Sequence, residues 1–222
     1  MKKIYKQILF LLPFVVLFSS CVDITRNIVI NKNGTGKETM TVNLSSQFFR
    51  MMQALASLDT TKKTNPYDDT EIISQINSSF KNSEYISGMN VNSALNADSS
   101  KTLTVNYNFS KISVLALDMN NLSGNGDSLI YLREENGNMK FYYKLVNENG
   151  DDQNSDSTNN SMDELSAKMF EGKTFTVNIE FPYDVISTNA SSQNGRKLTW
   201  VFPMDVIKKA GDTRVMEAVL RK

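Results

Sequence analysis

The sequence predicts an α+β fold, with antiparallel β-hairpins forming one or two sheets and amphipathic helices packed on one face. Two patterns lead there. Asn-Gly pairs recur between short β-rich runs, and Asn-Gly takes the positive φ values that tight hairpin turns need. Between the hairpins, apolar residues return at helical spacing, as they do on the inner face of an amphipathic helix. A third feature, a removable N-terminus, bounds the part that folds.

The elements follow in chain order. Runs at 24–30 and 37–43 flank a turn with Asn33-Gly34-Thr35-Gly36, which reads as a hairpin. In 46–58, Phe48, Met51, Met52 and Leu55 fall at i, i+3, i+4 and i+7, one helix face. A loop over 58–67 with Asn65-Pro66 separates it from a second helix at 69–81, striped by Ile72, Ile73, Ile76 and Phe80. Asp68 with Glu71 three residues on resembles a capping box, with acid at the positive end of the helix dipole. Met89, Val91 and Leu95, then Leu103, Val105, Tyr107 and Phe109, alternate with polar residues about the turn Asp98-Ser99-Ser100. A third helix is expected at 110–122 through Ile112, Leu115, Met119 and Leu122. Runs at 129–135 and 139–146 flank Asn136-Gly137. The segment 147–161 is nearly all Asn, Asp, Ser, Gly and Gln; it cannot bury a core and marks a mobile insertion or a subdivision of the domain. A short helix at 162–170 precedes the most regular strand, with Phe175, Val177, Ile179 and Phe181 on one side and Thr174, Thr176, Asn178 and Glu180 on the other. Leu198, Trp200 and Phe202 answer it across Asn194-Gly195. One apolar and one polar face fit a sheet with one side on a core and one side wet. Pro182 and Pro203 end these runs because proline cannot donate to a ladder.

The N-terminus has a different logic. Lys2, Lys3 and Lys6 precede an apolar run from Ile8 to Phe18, the charged and apolar regions of a secretory signal. The run is shorter than the roughly 20 residues a membrane-spanning helix needs. Leu17-Phe18-Ser19-Ser20-Cys21 resembles the bacterial lipobox, in which small residues precede a cysteine that is acylated and becomes the first mature residue. The lipobox usually has Leu where Phe18 stands. The alternative is an ordinary signal cut near Ser20, leaving a free thiol. Cys21 is the only cysteine of the chain, and a lone exported thiol is a liability unless it is modified. The expected organisation is therefore a signal peptide at 1–20 and a lipid-anchored α+β domain at 21–222. Two or three acyl chains anchor far better than one, at about 0.8 kcal/mol per buried methylene. In proteobacterial lipoproteins an Asp after the cysteine favours inner-membrane retention. Val22 stands there, so by resemblance the protein goes on to the outer membrane.

Composition excludes much chemistry. The chain has 222 residues, 24 basic and 24 acidic, and no histidine. Loss of 1–20 removes three lysines and leaves a mildly acidic protein, with no electrostatic footprint for nucleic acid and no polybasic patch for anionic lipid. Without histidine there is no Ser/His or Cys/His arrangement and no imidazole metal ligand. With its one cysteine acylated, thiolate catalysis and structural zinc go too.

Three segments together resemble a known family: the first hairpin with Asn33-Gly34-Thr35-Gly36, the strand 103–109 followed by a helix, and 176–202 with Pro182, Asn189, Asn194-Gly195 and Leu198-Thr199-Trp200. They are similar to the mycobacterial LppM-type lipoprotein domain and to uncharacterised lipoproteins of Bacteroidetes. The resemblance implies an α+β domain displayed from a membrane, with no catalytic residues and no cofactor to carry over.

Candidate sites stand beside plainer readings. Asp152, Asn154, Asp156 and Asp163 have the oxygen-ligand rhythm of a calcium loop, but Ser157 replaces the turn glycine and Asp163 the usual bidentate Glu; a solvated linker is the simpler reading. Met51, Met52 and Met119, with Met89 near in sequence, could line an adaptable groove for a lipid or peptide; a plain core uses the same spacing. Asp118, Glu134, Glu135, Glu171 and Asp184 supply carboxylates, yet nothing in sequence places two of them across a cleft as a glycosidase needs, and Glu134 and Glu135 point to opposite faces of a strand. Trp200 lies on the apolar side of its strand and reads as core; Tyr142 and Tyr143 face opposite ways, which leaves one of them, with Tyr183, for a binding platform. The expected function is a non-catalytic envelope lipoprotein, held to a membrane by lipid, that binds or scaffolds envelope proteins. The alternatives are a lipid- or apolar-ligand-binding module and, furthest off, a carboxylate hydrolase.

Overall fold

Period-two alternation becomes strands where expected, and Asn33-Gly34 and Asn136-Gly137 close the hairpins expected of them. The computed structural model describes residues 22–58, 65, 67–81, 83–116, 129–146, 172–204 and 213–222. The first hairpin joins β1 (Val22–Ile30) to β2 (Gly36–Leu44) in full antiparallel register, Val22 opposite Leu44 and Ile30 opposite Gly36. Gly36 is required by close approach. A Cβ there would lie 2.1 Å from the Val29 carbonyl oxygen and 2.4 Å from the Phe109 ring. Helices α1 (Ser46–Leu58) and α2 (Thr70–Lys81) follow, then the hairpin of β3 (Ile86–Leu95) and β4 (Lys101–Phe109). A helical turn at 114–116 is the described part of the third expected helix. Strands β5 (Leu129–Glu135) and β6 (Asn138–Val146) meet at Asn136-Gly137, where φ is 51° and 77°, as a two-residue turn of the primed type demands. Strands β7 (Thr174–Glu180), β8 (Asp184–Thr188), β9 (Ser192–Asn194), β10 (Lys197–Pro203) and β11 (Thr213–Arg221) complete the order.

The strands form two sheets. The larger runs β3-β4-β2-β1-β7-β10-β9 and the smaller β5-β6-β11-β8. The described residues are thus mostly β, with short helices, rather than evenly α and β. The pairing is also not wholly antiparallel. β1 and β7 run parallel, Ile24 opposite Phe175 and Ile28 opposite Ile179, a contact between strands far apart in sequence that no turn motif announces. The Asn194-Gly195 turn needs correction too. It joins β9 to β10, whereas β7 reaches its partner β10 only after the chain has left to place β8 in the other sheet. β11 lies inside the smaller sheet between β6 and β8, and the sequence pattern did not mark it.

The two sheets share one core. Val177, Ile179, Leu198 and Trp200 of the larger sheet and Phe141, Tyr143, Met216 and Leu220 of the smaller are all nearly or fully buried in one cluster. Phe141 spans the layers, its ring 5.0 Å from Phe181 and 6.2 Å from Trp200. The Trp200 indole N–H donates to Asn189 Oδ1 at 2.8 Å, and the same oxygen accepts from the Glu217 amide at 2.9 Å. A buried indole finds its partner this way without a break in the apolar layer.

The helices depart from their predicted stripes in one respect. α1 covers the residues expected of it, but among its described side chains the buried one is Phe49, 2% exposed and stacked on Tyr67 at 4.3 Å between centroids, while Met52 is 37% exposed. Phe49 stands about 100° around the helix from Phe48, off the predicted stripe, and the Tyr67 ring covers it. On α2, Ile76 and Phe80 pack on the core, and Phe80 meets the Tyr107 ring at 5.4 Å. Its start is also shifted. The Asp69 carbonyl accepts the first helical bond, from Ile73, while Asp68 accepts from the Thr70 amide at 3.0 Å.

Candidate functional site

The most unusual chemistry lies between the layers. On β1 the inward positions are Ile24, Arg26, Ile28 and Ile30, and on β2 they are Glu38, Met40 and Val42. A charge of each sign therefore interrupts two adjacent apolar faces. Arg26 is 0% and Glu38 1% exposed. Their side chains form a two-pronged ion pair, Arg26 Nε with Glu38 Oε1 and Arg26 Nη2 donating to Glu38 Oε2 at 2.8 Å. The planar fork of arginine matches a carboxylate in this way.

Further groups close the network. Tyr107, opposite Glu38 on β4, donates its hydroxyl to Glu38 Oε2 at 2.6 Å. From the smaller sheet, the Tyr143 hydroxyl accepts from Arg26 Nη1 at 3.1 Å and donates to the Leu115 carbonyl at 2.9 Å. That carbonyl also accepts from Arg26 Nη2 at 3.3 Å. Both sheets and the helical turn thus converge on one guanidinium, with the Phe80 ring packed on Tyr107. Such a cluster has the residue types of an acid–base site, but its carboxylate is spent on internal donors and has no exposed surface. Its chemistry is that of a lock between layers.

A second constellation sits at one end of the larger sheet. Leu95, Lys101, Leu44 and Val22 stand in one row across β3, β4, β2 and β1. The row continues to Lys173, before β7, whose carbonyl accepts from the Met204 amide at 2.7 Å. Lys101 pairs with Asp69 at 2.6 Å and donates to the Tyr67 carbonyl at 2.7 Å. Lys173 pairs with Asp23 at 2.5 Å. The Asp69 carboxyl is held below the usual carboxylate range, first of all by Lys101.

The residues singled out from sequence are scattered. Cys21, Met119, Asp118, Glu171 and the calcium-loop residues Asp152, Asn154, Asp156 and Asp163 lie outside the described residues. Met51 is half-buried and Met52 exposed on α1. Glu134 pairs with Lys222, Glu135 with Arg133 at 2.6 Å, and Asp184 is exposed at the start of β8. Tyr143 is fully buried, whereas Tyr142 is half-buried and stacks on Tyr131 at 5.2 Å. Tyr183 has the Lys32 ammonium 5.7 Å above its ring. Among the described residues no group of three or more acidic or thiol side chains is placed to hold a metal ion, and no helix is long and apolar enough to cross a membrane. Arg26 and Glu38 were not singled out from sequence, although the signal was present: opposite charges at inward positions of both arms of one hairpin.

No family model matches this chain, and no curated protein matches it. Among solved structures it is similar to the NMR structure of the folded domain of Mycobacterium tuberculosis LppM, at 12% identity and a TM-score of 0.47, over 91% of this chain and 90% of that one. At that level the likeness carries no functional argument, and the reading below rests on residues of this chain.

Proposed function

We propose that this chain is a lipoprotein of the bacterial cell envelope, exported on residues 1–20 and acylated at Cys21, carried to the outer membrane, with a non-catalytic role in binding or scaffolding envelope proteins. One observation carries the reading: three lysines, the apolar run from Ile8 to Phe18 and Leu17-Phe18-Ser19-Ser20 lead into Cys21, the only cysteine of the chain. The non-catalytic part is supported by the sequestered Arg26–Glu38 pair and by the other candidate carboxylates among the described residues: Glu134 and Glu135 are in ion pairs and Asp184 stands exposed at a strand start. In this reading α1 and α2 cover one face of the larger sheet, as the contact of Phe80 with Tyr107 supports.

The test is the intact mass of the protein expressed with its signal in a diderm bacterium. A chain starting at Cys21 and carrying a diacylglyceryl group, found in the outer-membrane fraction, is the expected result, with Cys21→Ser released from that fraction. An unmodified thiol on a chain cut elsewhere would end the proposal. A further mass excess lost on denaturation would replace scaffolding with binding of an apolar ligand.

A further inference from the structure

We infer that the end of the larger sheet bearing Val22 is seated on the bilayer surface, with Leu95 and Met52 as its apolar contacts. The inference rests on the lipoprotein reading above and adds to it an orientation and a second point of attachment. Consecutive Cα atoms are about 3.8 Å apart, so an acylated Cys21 leaves no tether between the lipid and a strand already in register with β2 at Val22. A lipoprotein with a long linker can tumble; here the row through Val22 is held within a few ångströms of the headgroups.

That row carries suitable surface. Leu95, the end of β3, is 61% exposed, the largest exposure among the large exposed apolar residues. It lies three strands from Val22 in the same row, about 14 Å across the sheet. α1 leaves the row two residues after Leu44. It is tied back to it through Phe49 on Tyr67 and Tyr67 on Lys101, and it exposes Met52. The two lysines of the row are each paired with an aspartate, so among the described residues this row offers apolar side chains and no free positive charge. The occupant it fits is the lipid interface itself, through apolar contact, without dependence on anionic headgroups. The β1–β2 turn at the other end of β1 points away, about 30 Å off for a nine-residue strand.

The single native cysteine makes the test direct. Leu95→Cys, Met52→Cys and Lys32→Cys variants of the acylated protein would each be labelled at the new thiol with an environment-sensitive fluorophore. Each would then be reconstituted in vesicles of phosphatidylethanolamine and phosphatidylglycerol that contain a headgroup-attached quencher. The expected result is quenching roughly threefold or more stronger at positions 95 and 52 than at 32, unchanged by added salt, as apolar interfacial contact predicts. Equal and weak quenching at all three positions overturns the inference while leaving the anchor intact. Quenching at 95 and 52 that high salt abolishes also overturns it, in favour of electrostatic docking. Intact mass distinguishes the deeper failure: if Cys21 carries no lipid, the inference and the lipoprotein reading fall together.

Discussion

Two ion pairs of this protein have nearly the same chemistry and opposite surroundings. Arg26–Glu38 lies between the sheets with both side chains at 0% exposure. Glu134–Lys222 lies on the smaller sheet with both about half exposed. Removing two charges from water costs several kcal/mol per ion even after relaxation, so the inner pair exists only because every lobe of its charge meets a partner: Tyr107 on the carboxylate, Tyr143 and the Leu115 carbonyl on the guanidinium. The outer pair retains its water and is nearly indifferent to loss of its partner. Depth decides which charge matters. The inner network also takes members from β1, β2, β4, β6 and the 114–116 turn, and so fixes how two sheets of otherwise apolar surface settle on each other.

The largest expected effect breaks the inner pair. Glu38→Gln keeps the shape and takes the carboxylate away from the buried Arg26 guanidinium, and should cost about 3–5 kcal/mol in urea unfolding. Replacing the pair together with its hydroxyl donor, Arg26→Met with Glu38→Leu and Tyr107→Phe, should recover most of that loss, because the two charges and the Tyr107 hydroxyl leave together while Tyr143 keeps the Leu115 carbonyl. A loss below about 1 kcal/mol for Glu38→Gln would put the pair in the class of exposed ones and refute its burial.

The Lys101–Asp69 pair at the sheet end is intermediate, with side chains 11% and 25% exposed. The Asp69 carboxyl is depressed below its ordinary 3.8, mainly by Lys101. A folded-state pKa below the unfolded one favours folding above the unfolded value, and that contribution fades as pH falls through the folded value. Asp69→Asn should therefore cost about 1 kcal/mol at pH 7. The gap to the parent protein should close as pH drops below about 4. A gap that stays constant from pH 7 to pH 2 would mean that the amide disturbs packing and that charge is not the cause.

The same contrast of depth explains what the sequence disclosed. The hairpins β1–β2, β3–β4 and β5–β6 were legible because alternation and turn residues are local, and Asn136-Gly137 dictates its own turn. The parallel pairing of β1 with β7, the passage of β8 into the other sheet and the interior place of β11 were not, since each depends on partners distant in sequence. α1 was legible in extent, but the burial of Phe49 was not, because the Tyr67 ring that covers it comes from a separate segment. Of the sites, the anchor rests on a local motif. The Arg26–Glu38 lock needed the inference that a charge at an inward strand position must have a partner on the next strand.

At the shallow end, Glu134→Gln and Lys222→Met should each leave the urea midpoint within error of the parent. The Lys222 ammonium is raised above its ordinary value by the Glu134 hydrogen bond, and a raised lysine contributes to folding below its unfolded pKa and ceases to do so only as pH rises through the folded one. Any effect of the pair is then uniform from pH 5 to pH 9 and disappears in strongly alkaline solution. Both side chains are long, half exposed and screened by salt. A measurable loss at neutral pH would show that Lys222 ties the end of β11 across β6 to β5, and that depth alone does not rank the ion pairs of this fold.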